Sequence, residues 1–134
     1  MSDARLSPVQ TPFDRIGGEA VVQALVERFY DAMDAHEPAL AALHPQEAGK
    51  VSRASRDRFA LFLVGWLGGP QTYVERHGHP RLRMRHATVP VTAEMRDAWM
   101  RCMRIALDDS AVVPELRSFL DSKLADLAEF MRNR

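Results

Sequence analysis

The chain has 134 residues, 46% of them hydrophobic, and 18 basic against 18 acidic residues leave it without net charge. That length suits one domain with one core, and that balance excludes a disordered chain and an overall electrostatic design for nucleic acid. The single cysteine, Cys102, excludes an internal disulfide and suits a reducing compartment.

The opening MSDARLSPVQTPF has no apolar segment of the kind a secretory signal needs. The longest apolar stretch, FALFLVGWLGG at 59–69, is too short to span a bilayer. A cytoplasmic protein with neither a membrane nor a nucleic-acid partner is expected. Residues 1–12, polar and holding Pro8 and Pro12, read as a loose lead-in to a domain over 13–134. Gly17 and Gly18 break the chain before EAVVQALVERFYDAMDA, where Val22, Leu25, Val26, Phe29, Tyr30 and Met33 recur at helical spacing. Pro38 and LHPQEAGK at 43–50 predict an irregular link.

Ser55, Phe59, Phe62, Leu63 and Trp66 form the next helical face, which Gly68-Gly69-Pro70 stops. A polar loop follows, up to Pro80, which suits the first turn of a short helix that Pro90 keeps short. Met95, Trp99, Cys102, Met103 and Ala106 make a further face, ending at Asp108-Asp109-Ser110. Pro114 opens the last helix, with Leu116, Phe119, Leu120, Leu124, Leu127, Phe130 and Met131 as its stripe. No segment alternates as a strand. The fold class expected is all-α, and a short helix held between prolines points to a pocket rather than a plain bundle.

The chemistry concentrates in GHPRLRMRH at 78–86. On a helix over 80–89, Leu82, His86 and Val89 fall at i, i+4 and i+7, an apolar row with one histidine in it. Arg81 and Arg85 form a neighbouring cationic row, and Arg83 projects elsewhere. A neutral imidazole in apolar surroundings, with guanidinium groups at its edge, suits a flat ligand with a central metal and carboxylates at its rim; haem is such a ligand. Pattern alone leaves other readings open. His77, His79 and His86 offer zinc three nitrogens and no fourth ligand. A polyanion site would leave the apolar row idle. A packed core histidine beside solvated arginines needs no ligand at all.

FDRIGG (13–18), RFY (28–30), GWLGGPQTY (65–73), GHPRLRMRH (78–86) and RDAWMRCM (96–103) stand in an order and spacing that resembles the group II truncated haemoglobins, over about residues 13–132. The resemblance implies a two-over-two helical sandwich, with segments 19–34 and 52–66 facing 92–108 and 113–132 across haem b. It implies His86 as the iron ligand, with Arg85, Arg81 and Tyr73 near the propionates and Arg58 reaching them from the facing helix. Phe59, Phe62 and Leu82 would line the haem pocket. On the other side of the iron it implies Tyr30 and Trp99 as hydrogen-bond donors to a bound gas. His44 would be a third polar contact or a partner of Tyr30, and Ser55 would stand where a distal histidine is usual, leaving a small gate.

The implied function is reversible binding of O2, and of CO or NO, with release slow enough for scavenging or sensing rather than bulk oxygen transport. The alternative is an enzyme using the same haem for NO oxidation or peroxide turnover with an external reductase. A helical DNA- or metal-binding module is the non-haem reading, and the choice between monomer and homodimer stays open.

Overall fold

Thr11 Oγ1 accepts the amide of Asp14 at 3.1 Å while an Asp14 carboxylate oxygen accepts the amide of Thr11 at 3.2 Å. This reciprocal cap starts helix α1 (Pro12–Ile16) in the computed structural model, which describes residues 10–134. Of the lead-in expected over 1–12, residues 1–9 lie outside the described residues, and Pro12 already belongs to α1. The amide of Phe13 donates to Leu67 O at 2.9 Å. A Cβ on Gly68, whose φ is +97°, would sit 2.8 Å from Thr11, and one on Gly69 would sit 2.7 Å from the Phe13 ring. The glycine pair therefore seats α1 as well as stopping a helix.

Helix α2 (Glu19–His36) buries Val22, Leu25, Val26, Phe29, Tyr30 and Met33, the face read from the sequence. The link after it holds a short helix α3 (Pro38–Ala41) and two antiparallel two-residue strands, β1 (Gln46–Glu47) and β2 (Lys50–Val51). Helix α4 (Arg53–Trp66) begins at Ser52, whose Oγ accepts the Ser55 amide at 3.1 Å. The expected polar loop contains helix α5 (Thr72–His77), which buries only Tyr73.

Helix α6 is shorter than the helix expected over 80–89 and spans Leu82–Arg85. Pro80 lies outside it because Arg81 takes the left-handed conformation at φ 48°, and His86 closes it. Helix α7 (Ala93–Asp109) is capped by Thr92, and helix α8 (Pro114–Met131) opens on its proline. Phe119 and Phe130, expected on the buried stripe of α8, are 42% and 53% exposed, with Lys123 and Arg83 over their rings.

Helix α2 packs on both α4 and α7, and α7 packs on α8. Leu25, Phe29 and Met33 meet Leu63, Met103, Leu107 and Leu120 in one core. Cys102 is wholly buried in it, and burial pushes its thiol up to about 11, so it packs as a small hydrophobe. No helix among the described residues is long and apolar enough to cross a membrane.

One buried charge fastens α4 to α2. Arg56 is 5% exposed. Its guanidinium donates to Glu27 Oε1 at 3.0 Å, Asp31 Oδ1 at 2.8 Å, Asp34 Oδ2 at 2.7 Å and Val51 O at 3.0 Å. The three acids fall at i, i+4 and i+7 of α2, so they share one face opposite Arg56. Arg56→Met leaves those carboxylates without their central cation. The expected cost is on the order of 3 kcal/mol, toward the low end for a broken buried pair because Asp31 stays solvated. That lowers Tm by roughly 10 °C, and a melt by circular dichroism within about 2 °C of wild type contradicts it.

The pairs also set the acid limit of the fold. Arg53 and then Arg56 hold the Glu27 carboxyl below its ordinary 4.5. Arg104 does the same for Asp121, whose ordinary value is 3.8, and Arg132 with Arg96 for Glu129. A carboxyl with a lowered folded pKa binds fewer protons folded than unfolded. Its stabilisation is therefore complete above the ordinary values and lost as pH falls through the folded ones. Thermal melts are expected to drop steeply below about pH 4.5, and a Tm at about pH 3 equal to that at about pH 6 contradicts this.

Candidate functional site

A cavity of about 390 Å³ opens between α2, α4, α6, α7 and α8, within the range of roughly 300–1,000 Å³ usual for small-molecule sites. Its walls are mostly apolar. Leu82, His86 and Val89 form one side, Phe59 and Phe62 another, and Met95, Leu127 and Met131 close the back. Tyr30, His44, Ser55, Arg58, Tyr73, Arg85 and Trp99 also line it. Arg81 does not. It caps α6 in the left-handed conformation, its carbonyl accepting the Arg85 amide at 3.0 Å and its own amide donating to His79 Nδ1 at 3.1 Å.

His86 is half-buried, and its Nδ1 lies 2.7 Å from Leu82 O. A carbonyl only accepts, so Nδ1 carries the proton and the neutral ring keeps its lone pair on Nε2. In that tautomer Nε2 is the nitrogen available to a metal, and the carbonyl partner fixes the ring's orientation. The row Leu82, His86 and Val89 survives although α6 is short, because the amides of His86 and Val89 bond to Leu82 O and His86 O.

Behind Tyr30, Phe59 and Trp99, which line the cavity, lies the ring of Phe29. The fully buried Phe29 ring lies 4.8 Å from Tyr30, 5.4 Å from Phe59 and 5.1 Å from Trp99, centroid to centroid. Phe59 in turn lies 5.9 Å from Tyr30 and 6.0 Å from Trp99, so the two polar-tipped rings flank it. Phe29 stood out in the sequence only as part of the α2 stripe; here it holds both polar-tipped rings. Neither Tyr30 Oη nor Trp99 Nε1 bonds to a described residue. No buried side-chain nitrogen or oxygen among the described residues lacks a partner, so both tips meet the open cavity. Burial raises the Tyr30 phenol well above its ordinary value, which keeps it a protonated donor at neutral pH.

His44 stacks edge-on to Tyr30 at 5.7 Å, and its Nδ1 lies 3.0 Å from Leu40 O. Burial holds its pKa below the ordinary value. The neutral ring with Nδ1 protonated leaves Nε2 as an acceptor, so His44 can receive a proton bond and not give one. Ser55 Oγ is engaged with Ser52 Oγ at 3.1 Å.

The arginines divide by their partners. Arg58 and Arg85 line the cavity and have no acidic partner among the described residues; Arg85 Nε donates to Pro80 O at 2.9 Å. Arg96, which the sequence reading missed, also lines it but is spent on Glu129 at 2.5 Å and Asp97 at 3.1 Å. Tyr73 packs on Phe62 at 5.9 Å, beside the two free cations. Among the described residues no three His, Cys, Asp or Glu side chains converge on one point, so His77, His79 and His86 do not assemble a zinc site.

A half-buried imidazole with a free Nε2, a mostly apolar cavity and two guanidinium groups without acidic partners among the described residues fit haem by the chemistry of the donors. Two helix pairs around such a cavity define a globin of the two-over-two kind. A family profile described as bacterial-like globin matches residues 11–133, and the chain belongs to that family, among its group II truncated haemoglobins. Group 2 truncated hemoglobin YjbI of Bacillus subtilis is 39% identical over 92% of this chain and 89% of its own. The cold-adapted truncated hemoglobin of the Antarctic marine bacterium Pseudoalteromonas haloplanktis superposes with a TM-score of 0.86 at 41% identity, covering 93% of this chain and 99% of that one. The group II 2-on-2 hemoglobin of Agrobacterium tumefaciens gives 0.85 at 40% identity, covering 95% and 97%. Membership implies haem as the cofactor.

Proposed function

We propose that this chain holds haem b through His86 and reversibly binds O2, with CO and NO as further ligands. Haem supplies the iron at which a diatomic gas binds. The protein would supply the His86 nitrogen that holds the iron, the apolar slot and the donors around the gas. Arg85 and Arg58 pair with the propionates, with Tyr73 beside them. Tyr30 Oη and Trp99 Nε1 would each donate to the gas, while His44, edge-on to the Tyr30 ring, would steady that ring by packing.

The observation that carries this reading is one cavity lined by an imidazole with a free Nε2 and by two donors that bond to no described residue. A gas that draws electron density toward itself presents an acceptor to those donors. Each such bond in a dry site is worth on the order of 1–3 kcal/mol, or about ten- to a hundredfold in residence time. His86 Nδ1 is bonded to a carbonyl rather than a carboxylate, which gives the ring little anionic character. That favours a gas binder over peroxide turnover, which gains from a stronger electron push.

Titrating the purified chain with haemin tests the cofactor directly. The expected result is a sharp Soret band that saturates at one haem per chain. A chain that stays colourless or binds haemin without saturation contradicts the reading.

A further inference from the structure

We propose that Asn133 is a positioning residue for His86: it clasps segment 86–91 and thereby fixes the axial nitrogen against the haem, an inference that rests on the haem reading above. Asn133 lies just beyond α8, 47 positions from His86 in the sequence. Its Nδ2 donates to His86 O at 3.0 Å and to Val89 O at 2.9 Å. Its Oδ1 accepts the Val91 amide at 3.0 Å, and its own amide donates to Val91 O at 2.9 Å.

Both side-chain N–H groups and the carbonyl are thus spent on one segment. Only this amide orientation works, since the flipped group would set an oxygen against two carbonyls and an NH2 against an N–H. The segment needs such an outside partner. Pro90 has no N–H, and α7 does not begin until Ala93, so Val89 and Val91 sit between two helices.

The clasp also ties segment 86–91 to the end of α8, which lines the same cavity. Leu127, Ala128 and Met131 of α8 line the same cavity as His86, and the Arg83 guanidinium of α6 lies 5.6 Å from the Phe130 ring of α8. His86 itself sits at the end of a four-residue helix, with little regular structure to hold it. Four hydrogen bonds from one residue make up that deficit. Aspartate is the informative substitution, because it keeps the acceptor for Val91 but sets a carboxylate against the carbonyls of His86 and Val89.

The test compares wild type, Asn133→Ala and Asn133→Asp in three readouts. These are haem transfer to excess apomyoglobin, the iron–histidine stretching band of the reduced protein, and hydrogen exchange at the Val91 amide of the haem-free chain. Both variants are expected to lose haem about tenfold faster and to shift or broaden the iron–histidine band. Asn133→Ala is also expected to speed exchange at Val91, while Asn133→Asp leaves it closer to wild type. A haem-loaded wild type whose variants match it in haem loss and in the band overturns the clasp and leaves the cofactor reading standing. A wild type that takes up no haem overturns the cofactor reading, and the clasp's role with it.

Discussion

His86→Gly is expected to lose haem affinity by more than a hundredfold, and free imidazole is expected to restore much of it. Losing a partner outside the coordination shell costs about 10- to 100-fold at a metal site, and here the ligand itself goes. Glycine leaves a space shaped like the missing ring. The rest of the slot, with Leu82, Val89, Phe59 and Phe62, is untouched and still encloses a flat apolar molecule. Imidazole that enters the space can offer a nitrogen where Nε2 stood, although without the bond to Leu82 O that orients the native ring. A haemin titration with and without imidazole reads both effects. Equal haem affinity in His86→Gly and wild type would remove His86 from its assigned role.

The second large effect lies on the other wall. Tyr30→Phe and Trp99→Phe are each expected to speed O2 release by about ten- to a hundredfold, with little change in association. Tyr30→Phe removes one donor and leaves the ring in its contacts with Phe29 and Phe59, while Trp99→Phe exchanges the indole donor for a smaller aromatic ring beside the same two neighbours. The double variant should fall short of the product of the two, because both donors face one ligand and share Phe29 and Phe59 as neighbours. The raised phenol pKa adds a further condition: the Tyr30 effect should persist across neutral and mildly alkaline pH, since the donor stays protonated there. Stopped-flow release that is unchanged in both single variants contradicts the donor assignment.

The long helices were legible because their faces repeat every three to four residues and because proline and glycine mark their ends. The buried face of α2 and the start of α8 at Pro114 match that pattern closely. Helix α5 escaped because it buries one side chain, Tyr73, and so has no stripe to read. The β1–β2 pair is two residues a side and is steadied by Asp34, whose Oδ1 accepts the Val51 amide at 3.2 Å, a contact 17 positions apart.

At the site, His86 stood out as the one histidine in an apolar row, whereas Tyr30 and Trp99 read as members of helical stripes until the resemblance to the group II truncated haemoglobins gave them donor roles. Arg81 stands at the start of α6 in the left-handed conformation, its carbonyl accepting the Arg85 amide at 3.0 Å, and is not among the residues that line the cavity. Arg56 and Asn133 were missed for the same physical reason as each other. The acidic partners of Arg56 and the partners of Asn133 lie 22 or more positions away, and periodicity within one helix says nothing about which polar group elsewhere will meet it. The three acids of α2 at i, i+4 and i+7 were the one local sign that a cation had to lie opposite.

The most direct test of the gas-binding account is the visible spectrum of the reduced, haem-loaded chain, recorded under argon, then under O2, then under argon again. The account predicts a single Soret band that shifts on O2 and returns fully when the gas is removed, with the shifted form outlasting that of the Tyr30→Phe, Trp99→Phe double variant. A spectrum that ignores O2, or that passes irreversibly to the oxidised form within the mixing time, contradicts it.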